Sequence, residues 1–193
     1  MTGIRSGGGP SALAADAVHG LAEAGLTVGT AESLTGGLLC AALTSVPGAS
    51  AVVRGGVVAY ASDVKAGVLG VDRDLLAREG AVCAPVATGL ADGVRALLPC
   101  DVGLATTGVA GPDPADGRPV GTVFVAASGP WGILVEEHAL TGDREEIRGA
   151  SVEAALGLLH RGLQNLRDGV GVAGYGGPEP GRPTHPDQGE EAP

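Results

Sequence analysis

Apolar positions along the chain alternate between two spacings, one of about four residues and one of short unbroken runs. Ser11 can cap a helix whose apolar face is Leu13, Val18, Leu21 and Ala22, ended by Gly25. Leu26 to Ala31 reads as a short buried strand. Leu34, Leu38, Leu39, Ala42 and Leu43 return to helical spacing until Pro47-Gly48. Ala51 to Ala61 reads as a longer strand interrupted by Gly55-Gly56, and Asp63 can cap a short helix bearing Lys65 and Leu69. Val86, Leu90, Val94 and Leu97 predict a helix from Pro85 to Leu98. Asp101 to Thr106 predicts a strand that runs into a glycine-rich loop. Val120 to Ser128 and Trp131 to Leu140 predict a hairpin around Gly129-Pro130. Asp143 and Glu146 have the spacing of a capping box, opening a last helix with Ile147, Ser151, Ala154 and Leu158 on its core face. Strands separated by helices, then a hairpin and a closing helix, predict an α/β domain: a three-layer α/β/α sandwich with a mixed sheet.

The pattern stops at both ends. Residues 1–9 are glycine-rich and are expected to be flexible, and residues 169–193 are a Gly, Pro and acidic tail expected to be disordered. The domain is therefore placed at residues 10–168. The net charge of −10 argues against a nucleic-acid partner and against an acidic membrane surface. It also repels an anionic metabolite at long range, so a phosphate would have to be held by a few local arginines and backbone amides. No apolar run is long enough to span a bilayer, and the start lacks a signal-peptide layout. Cys40, Cys83 and Cys100 have no paired spacing, which argues against a disulfide framework or a cysteine zinc site and makes a reducing cytoplasm the expected location. His19, His138, His160 and His185 show no metal-ligand spacing, so no metal and no cofactor is expected. With so few aromatics, Tyr60, Phe124, Trp131 and Tyr175, a stacking platform for single strands is not expected.

Among the twelve basic residues only Lys65 is not arginine. Lysine, unlike arginine, can lose its proton when its surroundings lower its pKa, and it can then act as a base. Upstream lies Thr30-Ala31-Glu32-Ser33-Leu34-Thr35-Gly36-Gly37. Ser33, where a strand gives way to a helix, suits either an N-cap or a nucleophile. A helix start beside it would offer free amides to an oxyanion, and Thr35, Gly36 and Gly37 would let the backbone approach a ligand. Glu32 either orients a neighbour or is solvated. If Asp63 caps its helix, Lys65 falls in the first turn, where the helix dipole disfavours an ammonium while Asp63 favours one. Tyr60 could hydrogen-bond the base, pack on a flat ring or fill the core. Thr106-Thr107-Gly108-Val109-Ala110-Gly111-Pro112 follows a strand and can offer amides and a hydroxyl to an anion, or can be a plain turn. Arg144 and Arg148 lie one helical turn apart and can reach a phosphate or pair with nearby carboxylates.

Thr30–Gly37, Val46–Ser50, Gly55–Lys65, Thr107–Pro112, Pro119–Val123 and Gly142–Arg148, in this order, resemble the carboxy-terminal domain of the CinA (competence/damage-inducible) family, the nicotinamide-nucleotide amidases. The resemblance covers roughly residues 10–165 and implies a fold of α/β/α type. It implies hydrolysis of the carboxamide of nicotinamide mononucleotide to nicotinic acid mononucleotide and ammonia, a step in pyridine nucleotide salvage. It implies Ser33 as nucleophile, Lys65 as its activating base and Tyr60 as a further active-site residue. Thr35, Gly36, Gly37, Thr107, Gly108, Gly111 and Arg148 are implied to bind substrate, with Arg148 favoured over Arg144. It implies no metal or cofactor, and self-association, as a dimer by preference. Many relatives carry this domain behind a larger amino-terminal one, so the stand-alone form is expected here. Asp63 stands where relatives usually have asparagine, Cys83 stands where they often have a helix-capping serine, and Arg118 lies in a variable loop. Two other readings stay open: a nucleotide-binding module without turnover, and an amidase for a different small amide.

Overall fold

The computed structural model describes residues 10–169, and the expected flexible start and all but the first residue of the tail lie outside them. In chain order the elements are α1 (Pro10–Ala24), β1 (Val28–Glu32), α2 (Leu38–Thr44), a 3-10 turn (Ala49–Ala51), β2 (Val53–Val58), α3 (Ser62–Leu69), α4 (Arg73–Glu79), α5 (Ala84–Leu97), β3 (Val102–Gly108), β4 (Thr122–Gly129), β5 (Gly132–Ala139) and α6 (Arg144–Arg167). The strands form one sheet in the order β2-β1-β3-β4-β5. The β1 strand runs parallel to β2 and β3, while β3, β4 and β5 are antiparallel neighbours. The fold is thus α/β with the expected mixed sheet.

Alternation of side chains across the sheet sorts the core into two layers. Val28, Leu104, Val123 and Val125 face one side and pack with Ala17 and Leu21 of α1, Leu39 and Leu43 of α2, and Ile147 and Leu156 of α6. Ala31, Ala105, Phe124 and Ala126 face the other side and pack with Val86, Leu90 and Val94 of α5 and Leu69 of α3. Gly93 lets α3 come close to α5: a Cβ there would lie 2.0 Å from the Leu69 carbonyl oxygen.

Differences from the sequence reading have local causes. Ser11 lies inside α1 and does not cap it. The second strand starts later than expected because Ala49–Ala51 forms a 3-10 turn, and it ends at Val58, short of the start of α3 at Ser62. The α4 helix escapes the apolar pattern because none of its residues is buried; its signal is Asp72, whose carboxylate accepts from the Asp74 and Leu75 amides. Cys83 precedes α5 without a side-chain capping bond. The capping box at Asp143 and Glu146 forms as the spacing predicts.

This topology places one edge of the sheet for chemistry. Glu32, Val58 and Thr106 are in register, so the carboxyl ends of three parallel strands coincide. The chain leaves β1 toward β2 and later crosses back to β3, making β1 the switch point at which open α/β sheets bind ligands.

Candidate active site

The segment after β1 does not enter a helix at once. Residues 33–37 form a turn, and α2 begins at Leu38 behind Gly37, which holds φ 100°. Gly36 is also left-handed, at φ 60°. Ser33 is therefore not an N-cap, because the left-handed glycines delay the helix by a full turn. The capping is done by Glu32, which is 1% exposed. Its carboxylate accepts from the amides of Gly37, Leu39 and Cys40 at 2.9, 3.0 and 2.8 Å. The free helix amides expected beside Ser33 are thus already occupied. Charge-assisted bonds to several N–H groups account for a carboxylate at this depth.

Ser33 is fixed by its own amide, which donates to the Thr106 carbonyl. Side chains at 32 and 33 point to opposite faces of the sheet. Glu32 turns toward α2, and Ser33 turns toward α3, where Lys65 waits. The Lys65 Nζ lies 3.1 Å from the Ser33 Oγ and donates to the Tyr60 carbonyl at 2.7 Å. The whole Lys65 residue is only 1% exposed. Burial holds its amine below the ordinary lysine value of 10.5, opposed by the negative charge of Asp116. Lys65 sits in the first turn of α3, as read from the sequence, but the N-cap position is Ala61 and Asp63 makes no capping bond. The opposing carboxylate is Asp116, from the loop before β4, and not Asp63.

The other expected site residues gather around this pair. Tyr60 is 61% exposed, so its ring is not a core residue; its carbonyl holds Lys65 and its hydroxyl accepts from Arg144 at 3.2 Å. Arg144 also donates to the Gly111 carbonyl at 2.7 Å, tying α6 to the glycine loop across the mouth. Arg148 donates through Nε and Nη2 to the carbonyls of Leu34 and Thr35, at 3.0 and 2.9 Å. Its guanidinium therefore braces the Ser33 turn from behind. Thr107 is buried and its hydroxyl donates to the Ala81 carbonyl. Gly108 lies where a Cβ would press on the backbone of β4.

Several contributors were not singled out in the sequence. Thr106 shares a 2.8 Å hydrogen bond with the Thr35 hydroxyl, pinning the turn to β3. Asp116 accepts from the Ala81 amide at 2.7 Å. Nothing local marks Asp116, whereas Glu32, read as orienting a neighbour or solvated, orients the α2 amides. His138 contacts Glu136 on the edge strand β5 and does not pair with Ser33. Among the described residues no helix is long and apolar enough to cross a membrane.

Comparison with known proteins gives this arrangement a lineage. A family model described as the CinA C-terminal domain matches residues 10–163. A CinA-like protein of Frankia casuarinae is 49% identical over 160 residues, covering 83% of this chain and 37% of that protein. A CinA-like protein of Anaeromyxobacter is 50% identical over 153 residues, covering 79% and 37%. The chain thus spans less than half the length of these curated relatives. The crystal structure of a CinA superfamily protein from Klebsiella pneumoniae superposes with a TM-score of 0.79 at 31% identity, covering 82% of this chain and 99% of that one. A competence/damage inducible protein from Agrobacterium tumefaciens gives 0.77 at 37% identity, covering 84% and 99%. With its sheet, its helices and most of its described length matched, the chain belongs to the CinA family and carries that family's C-terminal domain.

Proposed function

We propose that the site is a serine–lysine amidase acting on the carboxamide of nicotinamide mononucleotide. The observation that carries this reading is the buried Lys65 amine, 3.1 Å from the Ser33 hydroxyl and held by the Tyr60 carbonyl. A neutral amine can give one N–H to Tyr60 and keep its lone pair for the serine proton. Burial favours that neutral form. Ser33 Oγ attacks the amide carbon while its proton passes to Lys65. The tetrahedral intermediate collapses, the C–N bond breaks, and Lys65 returns the proton to the departing ammonia. Water then attacks the ester, with Lys65 again taking a proton, and Ser33 is released with the carboxylic acid.

The mouth suits an anionic ligand despite the acidic body. Arg144 is exposed there, on the Tyr60 hydroxyl and the Gly111 carbonyl. The exposed Tyr60 ring offers a flat face to a pyridine. An ammonia-release assay on nicotinamide mononucleotide, with free nicotinamide beside it, tests the reading. Release from the nucleotide that disappears in Ser33→Ala supports it. An intact nucleotide with wild-type protein, or undiminished release in Ser33→Ala, refutes it.

A further inference from the structure

We propose that the oxyanion formed at Ser33 is held by the backbone amides of Leu34 and Thr35, and that Arg148 is the positioning residue that readies them. The inference rests on the serine–lysine reading above and adds where the developing negative charge goes. As the Ser33 Oγ–carbon bond forms, the carbonyl π electrons move onto oxygen, and that oxygen needs donors at fixed positions. Candidate amides in this stretch can be eliminated one by one. Ser33 donates to Thr106, Gly36 to the Ser33 carbonyl, and Leu38 to the Thr35 carbonyl. Gly37, Leu39 and Cys40 donate to Glu32. Among the described residues, the amides of Leu34 and Thr35 donate to no protein acceptor. Both residues are buried, and unpartnered amides at buried residues are rare unless a ligand completes them.

Peptide geometry gives their direction. The peptide bonds here are trans, so each N–H points opposite to the carbonyl of its own unit. The Thr35 N–H shares a unit with the Leu34 carbonyl, which Arg148 holds from α6. That N–H is therefore turned away from α6, toward the α3 side on which Lys65 meets Ser33. The Leu34 N–H shares a unit with the Ser33 carbonyl, which Gly36 holds. A cation on the Leu34 oxygen also polarises its peptide unit and makes the Thr35 N–H a stronger donor. Glu32 contributes by closing the α2 amides to any competing anion.

The test replaces single amides by esters, introducing the α-hydroxy acid at position 34 or 35 so that oxygen stands in place of N–H. Phosphonylation of Ser33 by a fluorophosphonate, in which the Oγ–P bond forms and fluoride leaves, is followed by mass spectrometry, beside turnover of nicotinamide mononucleotide and thermal melting. Each ester at 34 or 35 is expected to slow phosphonylation, whose phosphoryl oxygen occupies the same place as the oxyanion, about 10²–10³-fold. Melting should fall only slightly, because neither N–H bonds anything in the folded protein and the exchange merely weakens the Ser33 or Leu34 carbonyl as an acceptor for Gly36 or Arg148. An ester at Ala41, whose amide donates to Gly37, should do the reverse. Arg148→Lys should lower kcat with KM unchanged. Wild-type phosphonylation rates in both ester variants would overturn the proposal, as would an Arg148→Lys variant that raises KM alone. Wild-type protein that labels at Ser33 yet leaves the nucleotide intact would refute the substrate and leave the oxyanion comparison readable through the label.

Discussion

Replacing Lys65 by arginine separates proton transfer from charge. The amine is buried, bonded to the Tyr60 carbonyl and 3.1 Å from Ser33. Arginine can still donate to Tyr60 but keeps its proton at every working pH, so it has no lone pair for the serine. General-base catalysis contributes about 10²–10⁴-fold, or about 3–5 kcal/mol of barrier, and Lys65→Arg should lose at least that much kcat. The larger guanidinium must also fit where a 1%-exposed side chain now sits, so the variant's melting temperature should be recorded with its activity. In wild type, kcat/KM should fall as pH drops through the Lys65 pKa, because the protonated amine cannot accept the serine proton. That limb lies below the ordinary lysine value, owing to burial. A folded Lys65→Arg protein with wild-type kcat would refute the reasoning, since charge alone would then suffice.

Other perturbations probe the surroundings. Asp116→Asn removes the charge that favours the ammonium, so the acid limb of the pH–rate profile should move to lower pH; a move upward would contradict the assignment. Glu32→Gln leaves at least one α2 amide facing an N–H group and should cost about 1–3 kcal/mol in urea unfolding, with an unchanged midpoint speaking against the cap. Lys65→Met tests linkage. The folded-state pKa is depressed, so the unfolded chain binds more protons between that pKa and 10.5, and wild type should gain stability relative to the variant as pH rises through this window, by up to about 1.4 kcal/mol per pH unit. A gap between the two that ignores pH would mean that the amine is not perturbed. Gly93→Ala forces a methyl against the Leu69 carbonyl and should destabilise by about 1–3 kcal/mol, read by thermal melting, while disturbing the helix that carries Lys65.

Much of this arrangement is legible in the chain because periodicity reports burial. The apolar runs locate β1 and β3, and the capping box locates α6. The pairing of Ser33 with Lys65 is suggested by a lone lysine in an arginine-rich chain but singled out only by the family resemblance, since a serine at a strand end is as readily a helix cap. Periodicity fails where backbone conformation decides. Leu34 fits the stripe of α2, yet Gly36 and Gly37 hold it in a turn outside that helix. It fails again for contacts between distant segments. Asp116 reaches Ala81 across 35 residues, and Arg148 reaches Leu34 across 114. No local pattern distinguishes such an aspartate or arginine from a solvated one. The resemblance implies Arg148 as a substrate contact; its bonds to the turn after β1 arise because the sheet brings α6 past the end of that strand.

The most direct test of the central claim is the intact mass of the protein after acid quenching during turnover of nicotinamide mononucleotide. An acyl adduct mapping to Ser33, missing in Ser33→Ala and strongly reduced in Lys65→Met, is the expected result. Turnover that persists in Ser33→Ala, or an adduct on any other side chain, would contradict a hydroxyl nucleophile activated by a buried amine.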